Sequence, residues 1–224
     1  INSQKSNYIR DGFKPIIPKD TKVLDLKLDS EILTINFSKE FLNVSKENED
    51  KMIEALIYSL TEIKEIKKIK ILVENNNFTT LPNSNKKLPE YLDKNYGINK
   101  IYNLDSLKET SKTTIYYLSK NKDYYYYVPV TKVSNEKLER VEIIIKELKS
   151  TPIYHTNLIS YLASSTSMTN YELLESTISL SFNNYLIANL KDDAVLEEVK
   201  YSIALSLRDT YGINKVIFNI PDME

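Results

Sequence analysis

The chain has 224 residues, of which 42% are hydrophobic and 27% charged, a composition typical of a globular protein with one or two domains. Its 30 basic and 31 acidic side chains are too evenly balanced for a protein that binds a nucleic-acid backbone. The chain has no cysteine, one histidine and three glycines, which excludes disulfides, cysteine zinc sites, two-histidine mechanisms and glycine-rich phosphate loops.

A strand pair and a helix are predicted in the first part of the chain. Two early prolines predict extended loop over residues 1–20, and apolar alternation over residues 23–37 predicts two strands with a turn near Ser30. Apolar residues at helical spacing then predict a helix over residues 48–66 with one buried stripe. The members of that stripe are Ile53, Leu56, Ile57, Leu60 and Ile63.

The middle of the chain predicts a strand, an irregular segment and a hairpin. Alternation over residues 69–73 predicts a strand, and two prolines and a glycine predict irregular structure over residues 81–105, with a short helix near Tyr91. Residues 113–117 and 124–130 predict two strands around a turn.

The last part predicts two helices and two strands. Ser134 is expected to cap a helix that carries Leu138, and residues 171–182 are predicted as one strand. A further helix is expected to end at Gly212, and residues 216–220 form the last predicted strand.

One strand–helix–strand unit occurs twice. Residues 33–37 match residues 178–182, and residues 66–71 match residues 213–218, with about two residues inserted before the second helix. The first copy lacks the hairpin and helix that open the second. We therefore expect other residues to pack on its core, either from a second molecule or from the segment that follows it.

The predicted fold class is α+β, with two tandem small domains over residues 1–105 and 106–224. Each is expected to have a three-stranded mixed sheet, plus the hairpin, with two helices on one face. The first copy is expected to be incomplete at its N-terminus.

Several motifs resemble the GerM domain family. Residues 18–24 resemble its Pro-Lys-Gly-Thr-Lys-Val-Leu run, with Asp20 in place of the glycine. Residues 33–41 resemble its central strand, residues 66–73 its closing strand, and residues 126–131 the opening strand of a second copy. In the second copy, Asn-Asn replaces the Ser-Lys that follows the central strand.

The resemblance implies a fold like the ring-building motif and a non-enzymatic role. It implies an extracytoplasmic scaffold that supports a multiprotein envelope complex between mother cell and forespore during sporulation. The implied partners are other envelope or sporulation-channel proteins, with no nucleic acid and no cofactor. The first residue is Ile1 and not methionine, so we expect a fragment or processed form whose only membrane contact would be a lipid anchor upstream.

No group of residues predicts a catalytic or metal site. His155 has no orienting carboxylate and no nucleophile near it in the sequence. Two clusters of acidic residues lack the glycine that a tight metal-binding turn needs. Acidic charge at a helix N-terminus explains both clusters. These clusters are Glu47, Glu49 and Asp50, and Asp192, Asp193 and Glu197, with Asp192 or Asp193 as helix cap.

Four consecutive tyrosines are the candidate partner contact. They could form a stacking surface, which gives the alternative function, a peptidoglycan- or glycan-binding envelope module. They could instead pair across the hairpin with Tyr116 and Tyr117. Because strand side chains alternate, two should face away from the helices, and the sequence leaves open which two. The alternatives are Tyr124 with Tyr126, or Tyr125 with Tyr127.

Overall fold

The computed structural model describes residues 13–150, 157–187 and 194–220. The chain divides into two compact units, Ile1–Asn99 and Lys100–Glu224. The second unit begins before the predicted boundary at residue 105 because Ile101–Asn103 forms a strand that pairs with the second strand of the hairpin.

The first unit has a four-stranded mixed sheet and one α-helix among its described residues. Strand β1 pairs antiparallel with β2, β2 pairs parallel with β3, and β3 pairs antiparallel with the short β4. Helix α1 connects the two parallel strands. The bounds are β1 Val23–Asp29, β2 Ile32–Phe37, α1 Glu49–Leu60, β3 Lys68–Val73 and β4 Asn76–Asn77.

Helix α1 is shorter than predicted. It ends at Leu60, where the hydroxyl of Thr61 donates to the carbonyl of Ile57 at 2.7 Å. The prediction that Ile63 belongs to the buried stripe was therefore wrong, and its side chain is 48% exposed.

The segment after β4 covers the core of the first unit. Phe78, Leu81, Leu88 and Leu92 are buried with the side chains of β2, α1 and β3, so one of the two predicted sources of cover is confirmed. The short helix expected near Tyr91 is absent, and a 3₁₀ turn forms instead at Lys94–Tyr96.

Buried carboxylates of α1 hold this covering segment. Glu49 accepts hydrogen bonds from the backbone N–H groups of Asn83 and Ser84, both at 2.9 Å. Glu54 accepts from the N–H of Asn99 at 2.9 Å. Acidic charge at the helix N-terminus therefore explains only part of the role of Glu49, because its side chain is buried and ties two distant segments together.

One face of β1 has no covering helix among the described residues of the first unit. Leu24, Leu26 and Leu28 are all about half exposed. In the second unit, Tyr171 occupies the position that corresponds to Leu26 and packs against the core, which includes a helix with no counterpart among the described residues of the first unit.

The second unit has two sheets and two α-helices among its described residues. Its three-stranded sheet places β10 between β9, which is antiparallel to it, and β11, which is parallel. The hairpin forms a separate four-stranded sheet of order β5-β7-β6-β8. The bounds are β5 Ile101–Asn103, β6 Ser111–Asn121, β7 Tyr124–Ser134, α2 Arg140–Leu148, β8 Leu158–Ile159, β9 Met168–Leu174, β10 Thr177–Phe182, α3 Glu197–Tyr211 and β11 Lys215–Asn219.

Local signals explain where these elements begin and end, and three predictions were wrong. Residues 171–182 belong to two strands, because Glu175 turns the chain with φ 52°. Ser134 ends β7 instead of capping a helix, and Glu139 caps α2 through a reciprocal capping box with Glu142. Leu138 therefore lies outside α2.

The end of α3 follows the sequence prediction, but its start does not, because α3 begins at Glu197 with Leu196 as its N-cap and neither Asp192 nor Asp193 caps it. Gly212 caps α3 in the left-handed conformation, with φ 67°, and Glu197 lies in its first turn. Asp192, Asp193 and His155 lie outside the described residues.

Helix α3 closes an edge of the hairpin sheet. The backbone N–H of Tyr116 in β6 donates to Ser206 Oγ at 2.9 Å, and Ser206 Oγ donates to the carbonyl of Ser202 at 2.6 Å. The Tyr116 hydroxyl donates to Asp209 at 2.6 Å. Small serines thus allow a helix to satisfy a strand edge that would otherwise need another strand.

The pairing registers confirm the repeat. Leu33 pairs with Ile69 in the first sheet, and Ile178 pairs with Val216 in the second, which reproduces the two-residue insertion. The carbonyl of Glu31 accepts from two successive backbone N–H groups at 2.8 and 3.2 Å, and the carbonyl of Ser176 does the same at 2.8 and 3.2 Å.

The asparagine that replaces serine in the second copy keeps the serine's role. Ser38 Oγ accepts from the backbone N–H of Lys22 at 3.0 Å, and Asn183 Oδ1 accepts from that of Ser167 at 3.0 Å.

Within the described residues, no helix is long and apolar enough to cross a membrane.

Candidate partner-binding site

The four consecutive tyrosines open strand β7, directly after the hairpin turn. They pair in register with residues 118–121 of β6. Tyr116 and Tyr117 pair instead with Pro129 and Val128, so the predicted cross-strand tyrosine pairs were wrong. The reason is that β6 continues to Asn121, beyond its predicted end, which moves the turn away from Tyr117.

The register shows which tyrosines share a face. Tyr124 and Tyr126 lie on the face of Ile115 and Tyr117, the face whose side chains join the core of the second unit. Tyr125 and Tyr127 lie on the opposite face, with Tyr116 and Leu118 across the hairpin. Two further tyrosines, Tyr161 and Tyr201, lie next to this pair. Because Tyr127 meets Tyr201 of α3 on this face, the expectation that one pair faces away from the helices was wrong.

The tyrosine patch combines residues from three segments of the second unit. The hydroxyls of Tyr125 and Tyr161 lie 3.4 Å apart. The ring centroids of Tyr127 and Tyr201 lie 5.9 Å apart with a 53° tilt. We define the tyrosine patch as Tyr125, Tyr127, Tyr161 and Tyr201.

The patch is open to solvent. Tyr125 and Tyr161 are each 42% exposed, Tyr201 is 52% exposed, and Tyr127 is half-buried. Tyrosine combines a large apolar ring with a hydroxyl, so it contributes contact area at low side-chain entropy cost. Exposed aromatic side chains grouped in this way are typical of protein interaction surfaces.

Acidic side chains border the patch. Glu197 pairs with Lys200 at 2.5 Å, whereas Glu198 forms no ion pair or hydrogen bond within the described part of the chain. Lys120 lies over the ring of Tyr125, with its Nζ 5.6 Å from the centroid.

These charges act on the tyrosine hydroxyls. Burial raises the pKa of Tyr127, and the negative charge of Glu198 raises that pKa further. The hydrogen bond with Tyr125 raises the pKa of Tyr161, and burial and the charge of Glu198 add to that rise. Glu198 therefore places negative potential beside both rings.

Comparisons with known proteins show what the chain is similar to. The sequence model of the Germane family, described as sporulation and spore germination, matches residues 2–79. The spore germination protein GerM of Bacillus subtilis (strain 168) is 29% identical over 217 residues, which cover 94% of this chain and 59% of that protein. The solved tandem GerMN domains of the sporulation protein GerM from Bacillus subtilis superpose with a TM-score of 0.87 at 25% identity, over 96% of this chain and 76% of that one.

The chain is similar to GerM over most of its length. Its two units together have the fold of the tandem GerMN domains, and the matched residues 2–79 fall in the first unit. The names of these relatives describe sporulation and germination and not a reaction. The chain spans about three-fifths of the length of the Bacillus subtilis GerM protein.

Sequence reasoning found only half of the tyrosine patch. Tyr201 lies on α3 away from the buried stripe of Val199, Ile203 and Leu207, and a large exposed aromatic residue on a helix could have marked it. Tyr161 lies in a loop and gave no signal. In the described parts of the chain, no group of three His, Asp or Glu side chains could hold a metal ion.

Proposed function

We propose that this chain is a non-enzymatic assembly protein of the bacterial cell envelope that acts in sporulation. In this proposal the tyrosine patch binds another envelope or sporulation-channel protein. The similarity to GerM and the match to its tandem GerMN domains support a role in sporulation. The tyrosine patch is the observation that carries the assembly role, because exposed aromatic side chains grouped in this way are typical of protein interaction surfaces.

The proposed location follows from the same similarity. We place the protein outside the cytoplasm, in the intermembrane space around the developing forespore. There a lipid anchor upstream of this chain would be its only membrane contact, and neither nucleic acid nor a cofactor takes part.

A direct test replaces the pair that the hairpin contributes to the patch. We expect the double variant Tyr125→Ser/Tyr127→Ser to fold and to lose its envelope partner, because both contact rings are removed. The matched control is Tyr185→Ser, since Tyr185 is 65% exposed in the same unit but lies outside the patch. Circular dichroism checks the fold, and co-precipitation from sporulating cells compares each variant with the wild type.

The outcome separates the assembly role from general effects of losing a tyrosine. Partner recovery at the wild-type level by the folded double variant would reject the hairpin as the interface. Equal loss with the Tyr185 control would show an effect that is not specific to the patch.

A second candidate function is glycan binding. The close Tyr127 and Tyr201 rings, with a carboxylate beside them, could stack on a sugar and accept its hydroxyl hydrogen bonds. Titration with soluble peptidoglycan fragments distinguishes the two functions. Saturable binding that the double variant loses would favour the glycan, and no binding would favour the protein partner.

A further inference from the structure

Three lysines of the first unit share one arrangement, in which each lies over a tyrosine ring and also pairs with a carboxylate. Cation and ring attract through the ring's quadrupole, and the carboxylate adds a charge-assisted hydrogen bond. The three sets are Lys70 with Tyr91 at 5.6 Å and Glu90 at 2.7 Å, Lys86 with Tyr96 at 4.9 Å and Asp50 at 2.8 Å, and Lys94 with Tyr58 at 5.5 Å and Glu62 at 2.6 Å.

The half of the tyrosine patch formed by Tyr127 and Tyr201 has two of these three components, a ring and a carboxylate. Glu198 and Tyr201 are three residues apart on α3, so they lie on the same side of the helix. Tyr127 packs against Tyr201, and the negative charge of Glu198 raises the pKa of Tyr127. Within the described residues, no lysine or arginine lies over the ring of Tyr127 or Tyr201.

The cations near the patch already have other contacts. Lys120 lies over Tyr125, and Lys200 pairs with Glu197. Glu198 is thus the carboxylate of the patch that has no counter-charge in the described part of the chain.

We propose that the Tyr127, Tyr201 and Glu198 side chains form a receptor site for a lysine or arginine side chain of the partner protein. This inference rests on the proposed assembly function and specifies the chemistry of its partner. The incoming cation would complete the arrangement that the first unit builds three times with its own lysines.

Desolvation is the reason that the partner group must carry a positive charge. A protein that covers the patch takes Glu198 out of water, and an apolar contact would leave this carboxylate buried without compensation. A cation over Tyr201 compensates that charge and gains the attraction of the ring at the same time. Sugar hydroxyls could also compensate it, and the test includes them.

The test uses the whole chain labelled with ¹³C in its tyrosine rings. The rings are followed by NMR during titration with N-acetyl-arginine amide, with its neutral analogue N-acetyl-citrulline amide, and with chitotetraose as the glycan probe. We expect the arginine compound alone to shift the Tyr127 and Tyr201 signals to saturation.

Two substitutions test the role of the carboxylate. We expect Glu198→Gln to weaken binding of the arginine compound by about 1.5-fold to fivefold, the range for an exposed ion pair. The matched control is Glu172→Gln, which removes an exposed carboxylate of β9 and should leave affinity unchanged.

Three results would overturn the inference. They are equal shifts with the citrulline compound, unchanged arginine affinity in the Glu198 variant, and ring shifts caused by chitotetraose alone. Its failure is distinguishable from failure of the proposed function. If arginine leaves the rings unmoved while the Tyr125/Tyr127 double variant still loses its partner, the assembly role stands and the cation site falls.

Discussion

Replacing Glu49 by glutamine should release the segment that covers the first unit. Glu49 Oε2 accepts from the backbone N–H of Asn83 at 2.9 Å and from its Nδ2 at 3.3 Å, and Oε1 accepts from the N–H of Ser84 at 2.9 Å. Glutamine keeps one oxygen acceptor but places an amide NH₂ where the other oxygen was. At least one donor of the covering segment then faces another donor.

The magnitude follows from these hydrogen bonds. A hydrogen bond to a charged group contributes about 1.5–3 kcal/mol, so we expect the free energy of unfolding of the first unit to fall by about 2–3 kcal/mol. For a unit of this size, that corresponds to roughly 10–20 °C in melting temperature. The matched control is Glu47→Gln, because Glu47 lies just before α1 and is exposed, and it should change the free energy by less than about 0.5 kcal/mol.

The assay is urea denaturation, combined with hydrogen exchange of the Asn83 and Ser84 amides. Faster exchange of these amides in the Glu49 variant would show that the covering segment opens before the unit unfolds. Identical urea midpoints and exchange rates for the Glu49 and Glu47 variants would refute the reasoning.

Acid should reduce the difference between the wild type and the Glu49 variant. Burial alone would raise the pKa of Glu49, but the hydrogen bonds from Ser84 and Asn83 outweigh burial and hold this pKa below its ordinary value. A carboxyl whose folded pKa is lowered stabilises the fold fully above its unfolded pKa, and this contribution disappears as the pH falls through the folded pKa. The two unfolding curves should therefore converge below about pH 4.5.

Two further substitutions test the second unit by urea denaturation. Ser206→Ala removes the acceptor of the buried Tyr116 N–H and should cost about 1–3 kcal/mol. Ser202→Ala removes a buried hydroxyl that has no hydrogen-bond partner within the described residues and should be neutral or stabilising, so equal losses would contradict this account. Lys132→Met leaves the Glu147 carboxylate, which Lys132 contacts at 2.6 Å, without its cation, whereas Glu136 keeps its ion pair with Lys146, and we expect a cost of about 3 kcal/mol at pH 7. This cost should shrink as the carboxylates protonate in acid, and a constant cost would argue against the ion pairs.

The chain order of the elements could be read from the sequence, because each signal lies among near neighbours. The alternation of Leu33, Ile35 and Phe37 gave β2, and the same spacing gave β10. Gly212 gave the end of α3, because the left-handed conformation there favours glycine. Comparison of the two copies also gave the two-residue insertion.

Boundaries were less predictable, because competing local interactions decide them. Ile63 fits the apolar stripe of α1, yet the turn at Thr61 ends the helix before it. Ser134 is a good capping residue, yet it pairs within β7, and Glu139 caps α2 instead. A propensity states what a residue can do, and its neighbours in space determine what it does.

The sequence by itself determined the repeat, the family motifs and the presence of a tyrosine-rich strand. Only the tertiary structure decided that Tyr125 and Tyr127 meet Tyr161 and Tyr201, and that Glu49 holds the cover of the first unit. The physical reason is distance along the chain. Periodicity and turn chemistry act over a few residues, whereas these contacts join segments more than 30 residues apart, which only folding brings together.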